Sequence, residues 1–151
     1  MTNKPKAKTL ADVYRNASAG LTLQPTEAMN PAPTSSHPVV YTLRLGAVNG
    51  ERPNGSAVAA VVVRAGIESF SIGSVEGWFR GLADPGWAIT VAHSDDQLLV
   101  NLAESLRLEF RQEGVGLEVF GRYLRCRADH GPAALLVDVC GLRRALVPVA
   151  R

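Results

Sequence analysis

The chain has 151 residues, a mass of 16.1 kDa and a formal net charge of +2, which suits one domain better than two. Apolar residues make up 46% of it and charged residues 20%, enough for a single core, and no apolar run approaches the roughly 18 residues of a membrane helix. The basic start is not followed by the apolar stretch of a secretory signal, and Cys126 and Cys140 cannot by themselves make a four-ligand zinc site. A reduced, cytoplasmic protein without membrane contact is expected, with both cysteines as free thiols.

Charge is unevenly placed. Residues 1–37 carry four cations against two acids, and residues 38–151 carry twelve arginines against twelve acids. A neutral body argues against tight nonspecific nucleic-acid binding by charge alone, so binding of that kind needs a local patch. Residues 1–37 are rich in Pro, Ser and Thr in their second half, and such a stretch buries too little apolar area to offset its ordering entropy. They are expected to be a flexible tail ahead of one domain over 38–151.

In chain order, Tyr41, Leu43 and Leu45 alternate within Val39–Val48, a strand signal. Asn49-Gly50 and Asn54-Gly55 bracket a turn-rich loop. Ala57–Arg64, with three successive valines, and Ile67–Ile72 predict two further strands, so an antiparallel meander opens the domain. Val75, Trp78, Phe79 and Leu82 have helical spacing, and a short helix is expected before Pro85-Gly86. Trp87–Ala92 predicts a strand. Ser94 and Gln97 form a capping-box pattern opening a helix from Asp95 to Gln112 whose stripe is Leu99, Leu102, Leu106 and Phe110. Gly116–Arg125 predicts one more strand. Pro132 suits a first helical position, and Leu135, Val139, Leu142 and Leu146 favour a closing helix over a strand, although Leu135-Leu136-Val137 fits either.

This order, an α/β arrangement of three antiparallel strands followed by alternating helices and strands in a mixed sheet, resembles the ribonuclease H-like superfamily. Local strings carry the resemblance. Tyr41-Thr42 opens the first strand, and Ser69-Phe70-Ser71-Ile72-Gly73 closes the third. Ser94-Asp95-Asp96-Gln97 follows the fourth strand, and His130-Gly131-Pro132 precedes Asp138. The resemblance implies phosphodiester chemistry with two Mg²⁺ ions. It implies Glu76, Asp95 and Asp138 as metal ligands and catalytic carboxylates, with His130 as a proton shuttle. The acid that the family carries in its first strand is missing, because the chain reads Tyr41-Thr42-Leu43-Arg44-Leu45-Gly46 there. A degenerate member is therefore expected, one that binds an RNA–DNA hybrid or related duplex with impaired or absent cleavage and weak Mg²⁺ binding. An active Mg²⁺-dependent endonuclease and a protein–protein interaction module are the alternatives.

Arg122, Arg125, Arg127, Arg143 and Arg144 are the candidate phosphate-binding surface. Each of these residues also has an ordinary reading. Asp95 and Asp96 suit the first turn of a helix beside a cap, Glu76 a helix start, and Asp138 a boundary acid near Arg143 or Arg144. His93 suits a satisfied strand-edge position and His130 a loop. Trp78 and Trp87 fit core positions better than stacking platforms, and the arginines fit a solvated basic face.

Overall fold

A computed structural model describes residues 38–146. The tail expected over 1–37 lies outside the described residues. The element order is β1 (Val39–Leu45), α1 (Gly55–Arg64), β2 (Ser71–Val75), β3 (Trp78–Phe79), β4 (Leu82–Ala83), β5 (Gly86–His93), α2 (Asp96–Glu109), β6 (Gly114–Val119), β7 (Arg122–Arg127) and α3 (Pro132–Leu146). Among the described residues no helix is long and apolar enough to cross a membrane.

Five strands form one sheet in the order β2-β5-β1-β6-β7, and β3 pairs with β4 in a separate hairpin. Every pairing in the large sheet is antiparallel. β1 lies at its centre, with Leu43 opposite Ile89 on one side and Leu117 on the other. Alternation sends Tyr41, Leu43 and Leu45 of β1, Ile89 and Val91 of β5, and Val115, Leu117 and Val119 of β6 into one buried layer. α2 closes that layer with Leu99, Leu102, Ala103 and Leu106, and α1 and α3 each pack against α2. The opposite face of the sheet, with Val40, Thr42 and Arg44 of β1 and Tyr123 and Arg125 of β7, carries no helix among the described residues.

The mixture of helices and strands matches the expected class, but the ribonuclease H-like arrangement does not form. That arrangement needs a three-stranded opening meander and a mixed sheet, whereas here one strand precedes the first helix and the sheet is antiparallel throughout. The divergence starts at Ala57–Arg64, expected as a strand and found as the body of α1. Asn54 is not a turn residue but the cap of this helix, its side-chain oxygen accepting from Ala57 N at 2.9 Å. Each valine costs a helix at most about 0.7 kcal/mol in propensity. Burial of Val58, Val61 and Val62, at helical spacing, returns roughly 1.5–3 kcal/mol apiece. Packing therefore outweighs β-propensity.

Three further segments differ. The third strand starts at Ser71 rather than Ile67, and Ile67 is buried in the connection after α1. The helix expected over 75–82 is instead the end of β2 followed by the β3–β4 hairpin, because Arg80 and Gly81 take φ of 54° and 81° and close a two-residue turn. Gly77 and Gly81 would each cost a helix about 1 kcal/mol. The single strand expected over Gly116–Arg125 is a second hairpin, turned at Phe120 and Gly121 with φ of 54° and 73°. Phe120 accepts the left-handed conformation because its ring packs against the core and under the Arg143 guanidinium, 5.3 Å from the ring centroid. α2 and α3 form where expected, with the cap of α2 on Asp95 rather than Ser94.

One buried polar cluster ties the layers together. Arg143 of α3 donates to Asp96 of α2 through Nε at 2.9 Å and Nη2 at 2.8 Å. The Tyr41 hydroxyl of β1 donates to the same carboxylate. The side chains of Arg143 and Asp96 are only 8% and 11% exposed, so this pair is held in a low-dielectric setting where the fork geometry counts. Burial, reinforced by the Asp96 carboxylate, holds the Tyr41 phenol far above its ordinary range. The stripe residue expected at Leu142 is thus displaced inward-to-outward by one position, and a charged residue takes the buried place.

Two stability outcomes follow from this packing. Leu106→Ala, at a fully buried site, is expected to cost about 2–5 kcal/mol in urea denaturation. Arg143→Met is expected to cost about 3–5 kcal/mol, because it strands the Asp96 charge; a loss below about 1 kcal/mol would show that Asp96 reaches water in the folded protein.

Candidate functional site

The residues singled out from the sequence are placed apart. Glu76 follows β2 on the surface, where its Oε2 accepts from Arg52 Nη2 at 2.6 Å. Asp95 caps α2, accepting from Leu98 N at 3.1 Å, and His93 Nδ1 accepts from Asp95 N at 3.0 Å. Asp138 lies on α3 and meets His130 Nε2 at 2.7 Å. Among the described residues no three His, Cys, Asp or Glu side chains form a group that could hold a metal. Each acid is engaged in local architecture: an ion pair, a helix cap and a His–Asp contact.

The arginines do not form one surface either. Arg125 and Arg127 share the open face of the sheet, and Arg127 pairs with Asp129 at 3.1 Å. Arg122 stands at the hairpin end of β7. Arg143 is turned into the interior toward Asp96, and Arg144 is exposed on α3, which packs on the helical side of the sheet.

Cys126 is buried on β7 and donates to Glu104 Oε1 at 3.3 Å. The same carboxylate takes both Arg107 Nε and Nη2 at 2.9 Å, a pairing that lowers the pKa of Glu104. Burial, then the Glu104 carboxylate, push the Cys126 thiol up to about 12. It is a protonated core residue and not a nucleophile at neutral pH. Cys140 is half-buried, and its thiol is also raised by burial.

A different part of the molecule gathers chemistry. A cleft of about 410 Å³ opens at the end of the sheet where β1 leaves and β5 and β6 enter. Its floor includes Arg44, Gly86, Gly114 and Gly116, and its walls include Tyr123 and Arg125 of β7 and Trp78 and Phe79 of the β3–β4 hairpin. Trp78 was expected in the core and is instead 73% exposed, as is Leu82 at 72%. Trp87 is half-buried at the cleft, donating through Nε1 to Pro53 O at 2.8 Å. Arg52 braces this corner, donating to Gly86 O at 3.0 Å and Val75 O at 3.3 Å with its guanidinium 5.6 Å from the centre of a Trp87 ring.

The rim is rigidly tied. Ala47 N donates to Asp84 Oδ1 at 2.8 Å, and Gly46 N donates to Gln112 Oε1 at 3.0 Å. Gln112 Nε2 returns a bond to Ala47 O at 3.2 Å, so two side chains fix the chain as it leaves β1. Gly86 is required by close approach, since a Cβ there would lie 1.9 Å from Leu45 O. Sequence reasoning missed this cleft because its residues come from five separated segments. The signals it left are the alternation Gly114-Val115-Gly116 and the clustering of Trp78 and Phe79 beside the Arg80-Gly81 turn.

No family model and no curated protein matches the chain. Among solved structures, it is similar to a phage SAM lyase in complex with S-methyl-5′-thioadenosine, at 17% identity and a TM-score of 0.43 over 66% of this chain and 96% of that one. It is also similar to a phage SAM lyase in the apo state, at 16% identity and a TM-score of 0.47 over 64% and 94% respectively. Likeness of this size carries no activity across. The sheet, antiparallel throughout in the order β2-β5-β1-β6-β7, is what overturns the ribonuclease H-like resemblance. The hybrid binding and impaired two-metal cleavage that it implied are withdrawn with it, as are the active endonuclease and interaction-module alternatives.

The thiol assignment is checked by titration with a thiol reagent at pH 8. The folded protein is expected to expose at most Cys140, against two thiols in denaturant. Full reaction of both in the folded state would mean that Cys126 is accessible.

Proposed function

We infer that the cleft at the end of the sheet binds a small molecule bearing a planar heteroaromatic ring, of about nucleoside size. The observation that carries this reading is the convergence of aromatic side chains which the fold leaves uncovered. Trp78 and Phe79 from the hairpin and Tyr123 from β7, the last 57% exposed, all border one cavity. Uncovered aromatic rings around a concavity favour a stacked ring over bulk water. The volume of about 410 Å³ falls in the range of small-molecule sites. The tied rim at Gly46–Ala47 and the braced corner at Arg52 supply a preformed shape, so little ordering entropy opposes binding.

The lining also bounds the chemistry its own side chains can perform. Among the described residues it contains no Cys, His, Ser, Thr or Lys, so nucleophilic catalysis by a thiol, hydroxyl of serine type or amine is not what these residues offer. Its proton-handling groups are the carboxylates of Asp84 and Glu113 and the phenol of Tyr123. A reaction at this site would therefore rest on carboxylate acid–base work and on orientation of the bound molecule.

The chain has two tryptophans, Trp78 and Trp87, and both border the cleft, so intrinsic fluorescence reports on it directly. Titration with adenosine, S-methyl-5′-thioadenosine and indole-3-acetate, backed by calorimetry, is expected to give saturable binding by at least one ring compound. Trp78→Ala is expected to weaken it by about 1–3 kcal/mol, the usual worth of one stacking platform. Absence of saturable binding by any of these, with the fold intact by circular dichroism, would overturn the reading.

A further inference from the structure

Within the described residues, four arginines are at least partly buried: Arg52, Arg107, Arg125 and Arg143. Arg52 holds Glu76, Arg107 holds Glu104 and Arg143 holds Asp96. Arg125 bridges no carboxylate among the described residues, and its Nε is buried without a hydrogen-bond partner. Buried donors are almost always paired, and one left open needs a reason, a bound water or ion among them. Neither Asp84 nor Glu113, the two carboxylates of the cleft, reaches Arg125 within ion-pair distance.

The backbone shapes this arrangement. Arg125 pairs with Gly116 across β6–β7, and Tyr123 pairs with Glu118. Both side chains nevertheless lie over neighbouring glycines. A Cβ on Gly114 would come within 2.4 Å of Arg125 Nη2 and 2.8 Å of its Nε, and one on Gly116 within 2.5 Å of the Tyr123 ring and hydroxyl. Two glycines on one face of β6 therefore open a trough in which an arginine and a tyrosine from the edge strand lie flat, bordering the cleft. The other cation there, Arg44, is already satisfied by Glu118 at 3.0 Å.

We propose that Arg125 receives an anionic group, a carboxylate or phosphate, carried by the ring-bearing ligand of this cleft. This rests on the small-molecule reading of the same site and assigns the ligand a charge. The ring stacks on the aromatic wall while the guanidinium takes the anion through charge-assisted hydrogen bonds, which are stronger and more directional than neutral ones. Arg125 is thus a specificity residue, separating charged from neutral ligands of the same ring.

The test compares matched probes on the full chain by calorimetry: adenosine, adenosine 5′-carboxylate and AMP, then indole and indole-3-acetate. The anionic member of at least one set is expected to bind about tenfold or more tightly than its neutral partner, with a preference that shrinks as salt rises. The carboxylate and phosphate arms tell which anion is preferred. Arg125→Gln is expected to abolish the preference while neutral-probe binding persists. Arg125→Lys keeps the charge and is expected to retain part of it. Gly114→Ala, which displaces the guanidinium without removing it, is expected to reduce it. Equal binding of neutral and anionic members, or a preference that survives Arg125→Gln, overturns the assignment and leaves the cleft reading standing. Binding of no probe at all overturns both.

Discussion

The carboxylate of Asp96, at the start of α2, accepts from two other elements at once: the central strand through Tyr41 and the last helix through Arg143. In a two-layer domain with helices on one side, something must set how those helices sit on the sheet. Apolar packing is tolerant of small shifts, but a bidentate guanidinium–carboxylate pair is not. The Arg143 guanidinium lies over the Phe120 ring, so the β6–β7 turn is also referred to this pair. The position of α3, the strained turn and the centre of the sheet thus share one reference point, whose desolvation cost is met only when all of its partners are in place.

Concentrating the helices on one face leaves the other free, and the cleft grows out of that asymmetry. The strands around it are rich in glycine where they approach the rim: Gly46, Gly86, Gly114 and Gly116. Small residues there let backbones and long side chains come closer than a packed face would allow, and the resulting hollow is bordered by rings from the β3–β4 hairpin. Rigidity comes from side chains doing the work of a turn: Asp84 and Gln112 hold residues 46 and 47, while Arg52 holds the neighbouring corner. A site with a fixed rim and an uncovered aromatic wall is a different object from the acidic edge of a metal-dependent nuclease, which needs several carboxylates released from structural duty.

How far the sequence could be followed depended on whether an element's signal was local. The stripe Leu99, Leu102, Leu106 with acids at its start specified α2 without help, and Pro132 with Leu135 and Val139 specified α3. β1 and β5 were equally plain, the first from its alternation and the second from a compact apolar run, each complete within eight residues or fewer. The misread segments had conflicting local signals. Valines argued for a strand at 57–64 where the decisive fact was which three of them would be buried together. Helical spacing at 75–82 was coincidental, because the glycines already closed a turn. The single strand expected at 116–125 hid a hairpin whose turn residue is a phenylalanine, a type that seldom takes positive φ and does so here under tertiary support.

The sequence by itself determined a charge-neutral stretch over 38–151, a helix–strand mixture, two of the three described helices, two of the central strands and a pair of unbridged cysteines. These follow from periodicity, caps and composition, which act over a few residues. Tertiary structure alone decided the strand order, the fate of the acids and the location of the cleft. Asp95, Asp138 and Glu76 looked like ligands as long as their partners were unknown; the fold gave one a backbone N–H, one a histidine and one an arginine. Arg125 looked like one member of a basic cluster, and the fold left it the partly buried arginine without a carboxylate among the described residues. The physical reason is that charge pairing and cavity shape are made between segments far apart in the chain, and no local pattern encodes which of several arginines will meet which acid.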